Sequence, residues 1–408
     1  MNIGNLLEDQ GNLPEAETHH RAAAEINGKL TREFPTVAEY RQNLASSYNN
    51  LGSILLKLGR LKDAEREFRR TLEIRERLTA DFPGVPTHRE DLASSHNNLG
   101  IVLRNSGKAE FAETEYRIAL SLREQLAREF PAIPEYRQKV AGSHHELGLL
   151  LWESGKFDQA EPENRAAIDL RQQLVAECPN LPQYRHRLAI SHNNLALVLV
   201  ALKKWDEAEA QYQAALDICN KLAADFPDVV QHREELASVH CGFGILLAAQ
   251  CKQDEAIARY RDAVGLNPKS AEFHRTLVRA LNTRAWELAT SPDRQARDSR
   301  RAVELAKEAT HLSPGDGNNW NTLGVAHYGA GDWQSAIASL EKSMELRQGG
   351  DAFDWFFLAM AHWQLGARAE ARKWFDQAVR WMEENKPSDQ ELSRFRTEAG
   401  DLLKIDAK

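Results

Sequence analysis

Pro35, Pro83, Pro131, Pro179 and Pro227 stand 48 residues apart, and each opens a closely related stretch of sequence. The stretches read PTVAEYRQNLASSYNNLG, PGVPTHREDLASSHNNLG, PAIPEYRQKVAGSHHELG, PNLPQYRHRLAISHNNLA and PDVVQHREELASVHCGFG. A fixed period of this kind confines a chain to a repeat architecture, in which every unit buries its apolar face on the next and growth needs no new core. The 408 residues are therefore read as an array and not as two or three globular domains.

Apolar residues within a repeat recur at helical spacing, as in Leu44, Tyr48, Leu51, Leu55 and Leu58. The run breaks near Gly59, and a second amphipathic run extends from about Leu61 to Phe82. One repeat is thus a helical hairpin, a helix A followed by a helix B. The Phe-Pro step at the end of the second run forbids further helix, while Pro86, Pro134 and Pro182 sit where a helix starts without needing an amide donor. Pro162 falls early in a helix B and predicts a local irregularity there.

These residues resemble the tetratricopeptide repeat family, whose pattern asks for Leu-Gly or Leu-Ala in helix A and for small and aromatic residues at set steps in helix B. Gly52 is followed by Ala64 and Phe68, Gly100 by Ala112, Tyr116 and Ala119, Ala196 by Ala208, Tyr212 and Ala215, and Gly244 by Ala256, Tyr260, Ala263 and Pro268. The resemblance implies an all-α fold, an α-α superhelical solenoid of helical hairpins. The period exceeds the family's usual one by about four helical turns, as in the kinesin light chain repeats, and both helices can share the excess with their stripes in phase. Thr71 stands where a small residue is expected, and Asn164 where an aromatic is. Four segments follow: a truncated first repeat over 1–34, long repeats over 35–268, shorter tryptophan-rich repeats over 269–387, and a capping helix over 388–408 that opens with Ser388 and Glu391 in capping-box spacing.

Gly4 aligns with Gly52, so Met1 aligns with Asn49 in the middle of a helix A, and the first hairpin lacks most of that helix. Two readings follow: a frayed hairpin that leaves its neighbour partly exposed, or a chain that is the tail of a longer protein; an uncapped front also allows head-to-tail self-association.

The formal net charge of −8 argues against a nucleic-acid partner, which needs a dense basic face. No apolar stretch is long enough for a membrane span, and Cys178, Cys219, Cys241 and Cys251 form no CxxC pair, so a cytoplasmic, reducing setting is expected. No phosphate-binding Gly-rich loop precedes a Lys-Ser or Lys-Thr pair, and acids and histidines are spread over a repeated surface instead of one cleft. No catalytic, cofactor or metal site is expected, and neither is enzymatic activity.

Period-48 columns supply the candidate functional residues. Tyr40, His88, Tyr136, Tyr184 and His232 form one, Arg41, Arg89, Arg137, Arg185 and Arg233 another, and Tyr48, His96, His144, His192 and His240 a third. Rings that fill space between hairpins and arginines that pair with acidic neighbours account for these as packing. The family resemblance places ligand recognition on the concave face lined by helix A, where the matching column is Asn49, Asn97, His145 and Asn193, flanked by Arg104 and Trp152. Asparagine both donates and accepts, which suits a peptide backbone, although bonds to the next helix would equally explain the column. The basic clamp of chaperone-binding relatives is unmatched, since Ser53, Ile101, Leu149 and Leu197 hold the aligned positions.

Trp286, Trp320, Trp333, Trp355, Trp363, Trp374 and Trp381 crowd the last third, mostly at core spacing, and Trp355 and Phe356 are adjacent, so one of the two is expected outside. The text GNNWNTLGVAHYGAGDW and DAFDWFFLAMAHWQLG looks like the repeat tails of bacterial serine/threonine protein kinases. The expected function is a protein-interaction scaffold that receives a peptide or helix on its concave face, in a signalling or regulatory assembly as that likeness implies; the alternative is a docking tail of a kinase whose catalytic domain is not in this chain.

Overall fold

The computed structural model describes residues 3–405, which form nineteen α-helices, one short 3₁₀ turn and no strand. The chain divides into two compact units, Met1–His232 and Arg233–Lys408. It is an α-α solenoid of antiparallel helical hairpins; over residues 3–225, and again over residues 253–403, each helix packs on its neighbours in the chain.

In the first unit the hairpins pair α1 (Ile3–Asp9) with α2 (Leu13–Glu33), α3 (Ala38–Lys57) with α4 (Leu61–Asp81), α5 (Pro86–Asn105) with α6 (Ala109–Glu129), α7 (Pro134–Glu153) with α8 (Phe157–Glu177), and α9 (Pro182–Ala201) with α10 (Trp205–Asp225). From α3 onward helix A has 20 residues and helix B 21, so the excess over an ordinary repeat is shared between the two, as the sequence implied. Pro86, Pro134 and Pro182 each occupy the first helical position. Helix A ends on a left-handed residue: Gly59, at φ +74°, donates to Leu56 O at 3.0 Å while Arg60 donates to Leu55 O at 2.9 Å. Gly107 and Gly155 repeat the turn, but in the next repeat Lys203 is forced into the same conformation at φ 60°.

Close approach explains the small residue in helix A. A Cβ placed on Gly100 would lie 2.6 Å from the Tyr116 ring, so helix B can press its aromatic directly on the helix A backbone. Ala64, Phe68, Ala112, Tyr116, Ala119, Ala208, Tyr212 and Ala215 are all buried. Thr71 is buried too, its hydroxyl donating to Glu67 O at 3.0 Å within its own helix. Pro162 does not break α8; the disturbance is confined to the first turn, where the Gln159 amide closes a short bond to Lys156 O at 3.0 Å.

The arginine column behaves as packing predicts. Arg41 meets Asp81 at 2.5 Å, Arg89 meets Glu129 at 2.6 Å, Arg137 meets Glu177 at 2.5 Å, and Arg185 meets Asp225 at 3.2 Å, each bond tying a helix A to the end of its own helix B. A second ladder joins successive helices B: Lys108 to Glu65 and Lys156 to Glu113 at 2.8 Å, and Lys204 to Glu161 at 2.7 Å. The third column is engaged likewise, His96 with Glu115 and His144 with Glu163 at 2.6 Å, and His192 with Gln211 at 2.7 Å.

The second unit contains most of α11 (Val230–Ala249), then α12 (Gln253–Leu266), α13 (Ala271–Thr290), α14 (Ser299–Leu312), α15 (Gly317–Gly329), α16 (Trp333–Leu346), α17 (Ala352–Gln364), α18 (Arg368–Asn385) and α19 (Gln390–Leu403). Its core is aromatic: Phe357 lies 4.9 Å from Phe395, Phe356 5.9 Å from Phe375, and Trp355 6.3 Å from Trp381, all edge to face. Two expectations fail here. Trp355 and Phe356 are both buried, because α17 packs against α15, α16, α18 and α19 and so hides more than one stripe. Asp389, not Ser388, caps α19, its carboxylate accepting from the Glu391 and Leu392 amides at 3.0 Å.

Candidate functional site

The helix A face of the first unit holds the sequence candidates. Its helices share side-chain contacts directly, which fixes what the columns do. Asn49 and Asn97 are half-buried on α3 and α5, and Asn49 accepts a bond from Asn98 of the next helix A at 2.9 Å. His145 on α7 receives the corresponding bond from Asn194 on α9, at 3.2 Å from its Nδ1. Asn193 is buried, and its Oδ1 has no hydrogen-bond partner. The column therefore does bond across to neighbouring helices at Asn49 and His145, while the half-buried Asn97 makes no such bond among the described residues.

Charge on this face is organised from below. Arg75, Arg123 and Arg171, at one position in successive helices B, are buried and reach the following helix A. Arg75 donates to Asp91 O at 2.8 Å and Ser95 Oγ at 2.9 Å, and Arg123 donates to Ser143 Oγ at 2.8 Å. Burial draws the guanidinium of all three down, that of Arg171 to about 10. Above them Glu90 takes Lys139 at 2.7 Å and approaches Arg123 at 3.6 Å, and Arg104 takes Glu146 at 3.2 Å. His145 is held neutral, its imidazole lowered to about 4 by burial first and then by Arg171, Arg104 and Arg187. Sequence reasoning missed this buried arginine column, although the texts LEIRERL, LSLREQL and IDLRQQL repeat it at the 48-residue period. A charged residue inside an amphipathic helix reads as solvent-facing until its neighbour helix is known.

Trp152 is exposed at the end of α7, and Arg104 is half-buried at the equivalent place on α5. Beside Trp152 a cavity of about 50 Å³ opens between α7 and α9, bordered by Gly148, Leu149, Asn164, Asn194 and Leu197. Among the described residues no group of three or more His, Cys, Asp or Glu converges as metal ligands would, and no helix is long and apolar enough to cross a membrane.

Tetratricopeptide repeat family models match residues 1–77 and 187–269, 145–224 and 293–351, and 355–385, together more than half of the chain. The chain belongs to the tetratricopeptide repeat family. No curated protein matches it. Solved structures similar to it include BtubC (BKLC) from P. vanneervenii, at 20% identity over 71% of this chain and 91% of that one, with a TM-score of 0.40. The apo form of RapI is 14% identical over 80% of each chain, with a TM-score of 0.49. YrrB, a TPR protein with an unusual peptide-binding site, is 15% identical over 56% of this chain and 97% of its own, with a TM-score of 0.37. With all three scores below 0.5, the family models and the geometry carry the assignment. Repeats of this family are generally non-catalytic scaffolds for other proteins.

Proposed function

We propose that the protein is a scaffold that binds an extended peptide or a helix of a partner protein along the helix A face of its first unit, within a regulatory or signalling assembly. The observation that carries this reading is a contrast within each repeat. The positions that hold each hairpin together repeat faithfully, Arg41, Arg89, Arg137 and Arg185 with their acids, whereas the positions on the helix A face change from repeat to repeat. Gln42, Glu90, Gln138 and His186 form one such row, and Leu56, Arg104, Trp152 and Val200 another. A constant frame with a varied, half-polar face is what recognition of one particular sequence requires, since packing alone would select the same residue each time. Asn49, Asn97, His145, Asn193, Arg104 and Trp152 remain the proposed contacts. Cys178, Cys219, Cys241 and Cys251, which form no CxxC pair, support a reducing compartment.

The test is a pull-down from the source cell extract with the wild-type chain and an Asn97→Ala/Arg104→Ala variant of equal helicity by circular dichroism. A partner held by the wild type and lost by the variant is the expected result; partners retained equally by both would remove recognition from this face.

A further inference from the structure

The third long repeat has a slot where its sisters have a ring. Phe68, Tyr116 and Tyr212 fill the same position in the other long repeats of the first unit, and all are fully buried. Asn164 stands there in the third and bonds back to Ala160 O at 2.9 Å. Its amide covers the Gly148 backbone as a ring would, with a Gly148 Cβ lying 2.7 Å from Nδ2. It ends short of where the outer half of a tyrosine ring and its hydroxyl would be. That missing bulk is about the size of a leucine side chain, and the cavity of about 50 Å³ occupies its place. A shift of 48 residues carries Trp152 and Asn194, at the rim, onto Arg104 and Glu146, the charged pair whose field acts on the buried Tyr116 hydroxyl. The slot is therefore the emptied seat of a core side chain, rimmed by Leu149, Leu197 and the exposed Trp152, and open on the helix A face.

A second observation concerns charge at the same end of the face. Arg187 on α9 is exposed and has no carboxylate within ion-pair distance among the described residues, and neither has the buried Arg171 beneath it, which donates to Arg187 O at 2.8 Å. One repeat earlier Glu90 offsets Arg123 and Lys139. Arg187 precedes Asn194 by two helical turns, about 10 Å along the axis, which an extended peptide spans in about three residues.

We propose that this slot takes one leucine- or isoleucine-sized side chain of an extended partner peptide, and that an acidic residue about three positions away in that peptide meets Arg187. The inference rests on the peptide-binding reading given above and names the chemistry of its ligand. A largely apolar seat supplies anchoring, and an unpaired surface arginine supplies register.

The experiment pans the full chain against a phage-displayed random dodecapeptide library and measures the enriched peptides by fluorescence anisotropy. Expected are sequences sharing a leucine or isoleucine with an Asp or Glu about three residues away. Asn164→Tyr, which restores the sister side chain, should weaken them ~tenfold or more, as should Leu197→Gln at the rim, and Arg187→Glu should weaken them while flattening their salt dependence. If Asn164→Tyr does not keep its helicity, Leu197→Gln decides. Peptides that bind these variants as tightly as wild type but lose affinity on Asn97→Ala would overturn the slot and leave the binding face intact. Enrichment of no peptide sensitive to any of these residues would overturn both.

Discussion

The two units solve one packing problem with different chemistry. In the first, long hairpins are held by columns of polar groups that recur every 48 residues: surface arginine–carboxylate pairs and histidines bonded to helix B within each hairpin, and the buried Arg75, Arg123 and Arg171 between one hairpin and the next. In the second, shorter helices are held by aromatic edges, with Phe356, Phe357 and Phe395 at the centre, and by one buried ion pair between Arg347 and Asp354. Longer helices bring more polar positions into each interface, so directional bonds can be repeated at a fixed register. Helices of 13 or 14 residues offer fewer such positions and depend on the area that aromatic side chains bury.

The sharpest way to break this comparison is to remove an aromatic from the second unit. Phe356→Ala should cost about 4 kcal/mol, because the ring is fully buried and its neighbours relax only in part. Tryptophan emission during urea unfolding reads the effect directly, since seven of the nine tryptophans lie in this unit. An unchanged midpoint would mean that the aromatic cluster does not hold the unit.

Asp354→Ala comes next, at about 3 kcal/mol, because it leaves Arg347 with Asp351 alone and also removes the acceptor for Asn321 at 2.8 Å and Ser343 at 2.9 Å. Burial raises the Asp354 carboxyl against the pull of Arg347, and Asn321, Ser343 and the Asp351 amide all donate to it. If Asp354→Ala unfolds at the wild-type urea concentration, the buried pair contributes no net stability.

Acid should separate the units in the other direction. His145 is lowered to about 4 when folded, so between its ordinary value of 6.5 and that point the unfolded chain binds the extra proton and stability falls as pH falls. His186, His192 and His232 are lowered in the same sense. His145→Asn, the residue of the sister repeats, should recover about 2 kcal/mol of the loss between pH 7 and pH 4.5, measured by far-ultraviolet circular dichroism in urea. Equal acid sensitivity in variant and wild type would show that the imidazole is not held neutral.

The smallest expected effect sharpens the comparison among repeats of one unit. Lys203→Gly should stabilise by about 0.5–1 kcal/mol, because the residue sits at φ 60° where Gly59, Gly107 and Gly155 stand in the equivalent turns. A lower melting temperature would instead assign the lysine side chain a role that offsets the backbone strain.

Much of the first unit was legible in the sequence because its period is strict. The hairpin, the stops at Phe-Pro and the prolines at first helical positions follow from local rules that 48-residue repetition makes visible, and the Gly–aromatic pairing from the resemblance to the tetratricopeptide repeat family. The second unit was less legible. Trp355 and Phe356 point to different sides of one helix, and only the surrounding α15, α16, α18 and α19 bury both. For the candidate face, the sequence supplied the column Asn49, Asn97, His145 and Asn193 but could not distinguish the members bonded across helices from the rest.

By itself the sequence determined the repeat, its length, the helix boundaries and the residues shared by every hairpin, since these depend on spacing, backbone propensity and proline or glycine chemistry within one stretch of chain. Only the tertiary structure decided that Arg75, Arg123 and Arg171 lie inside, that His145 is neutral, and that Asn164 leaves a slot beside Trp152. Burial, electrostatic environment and empty volume are properties of the space between helices, and that space is set by residues 48 positions away as much as by those at hand.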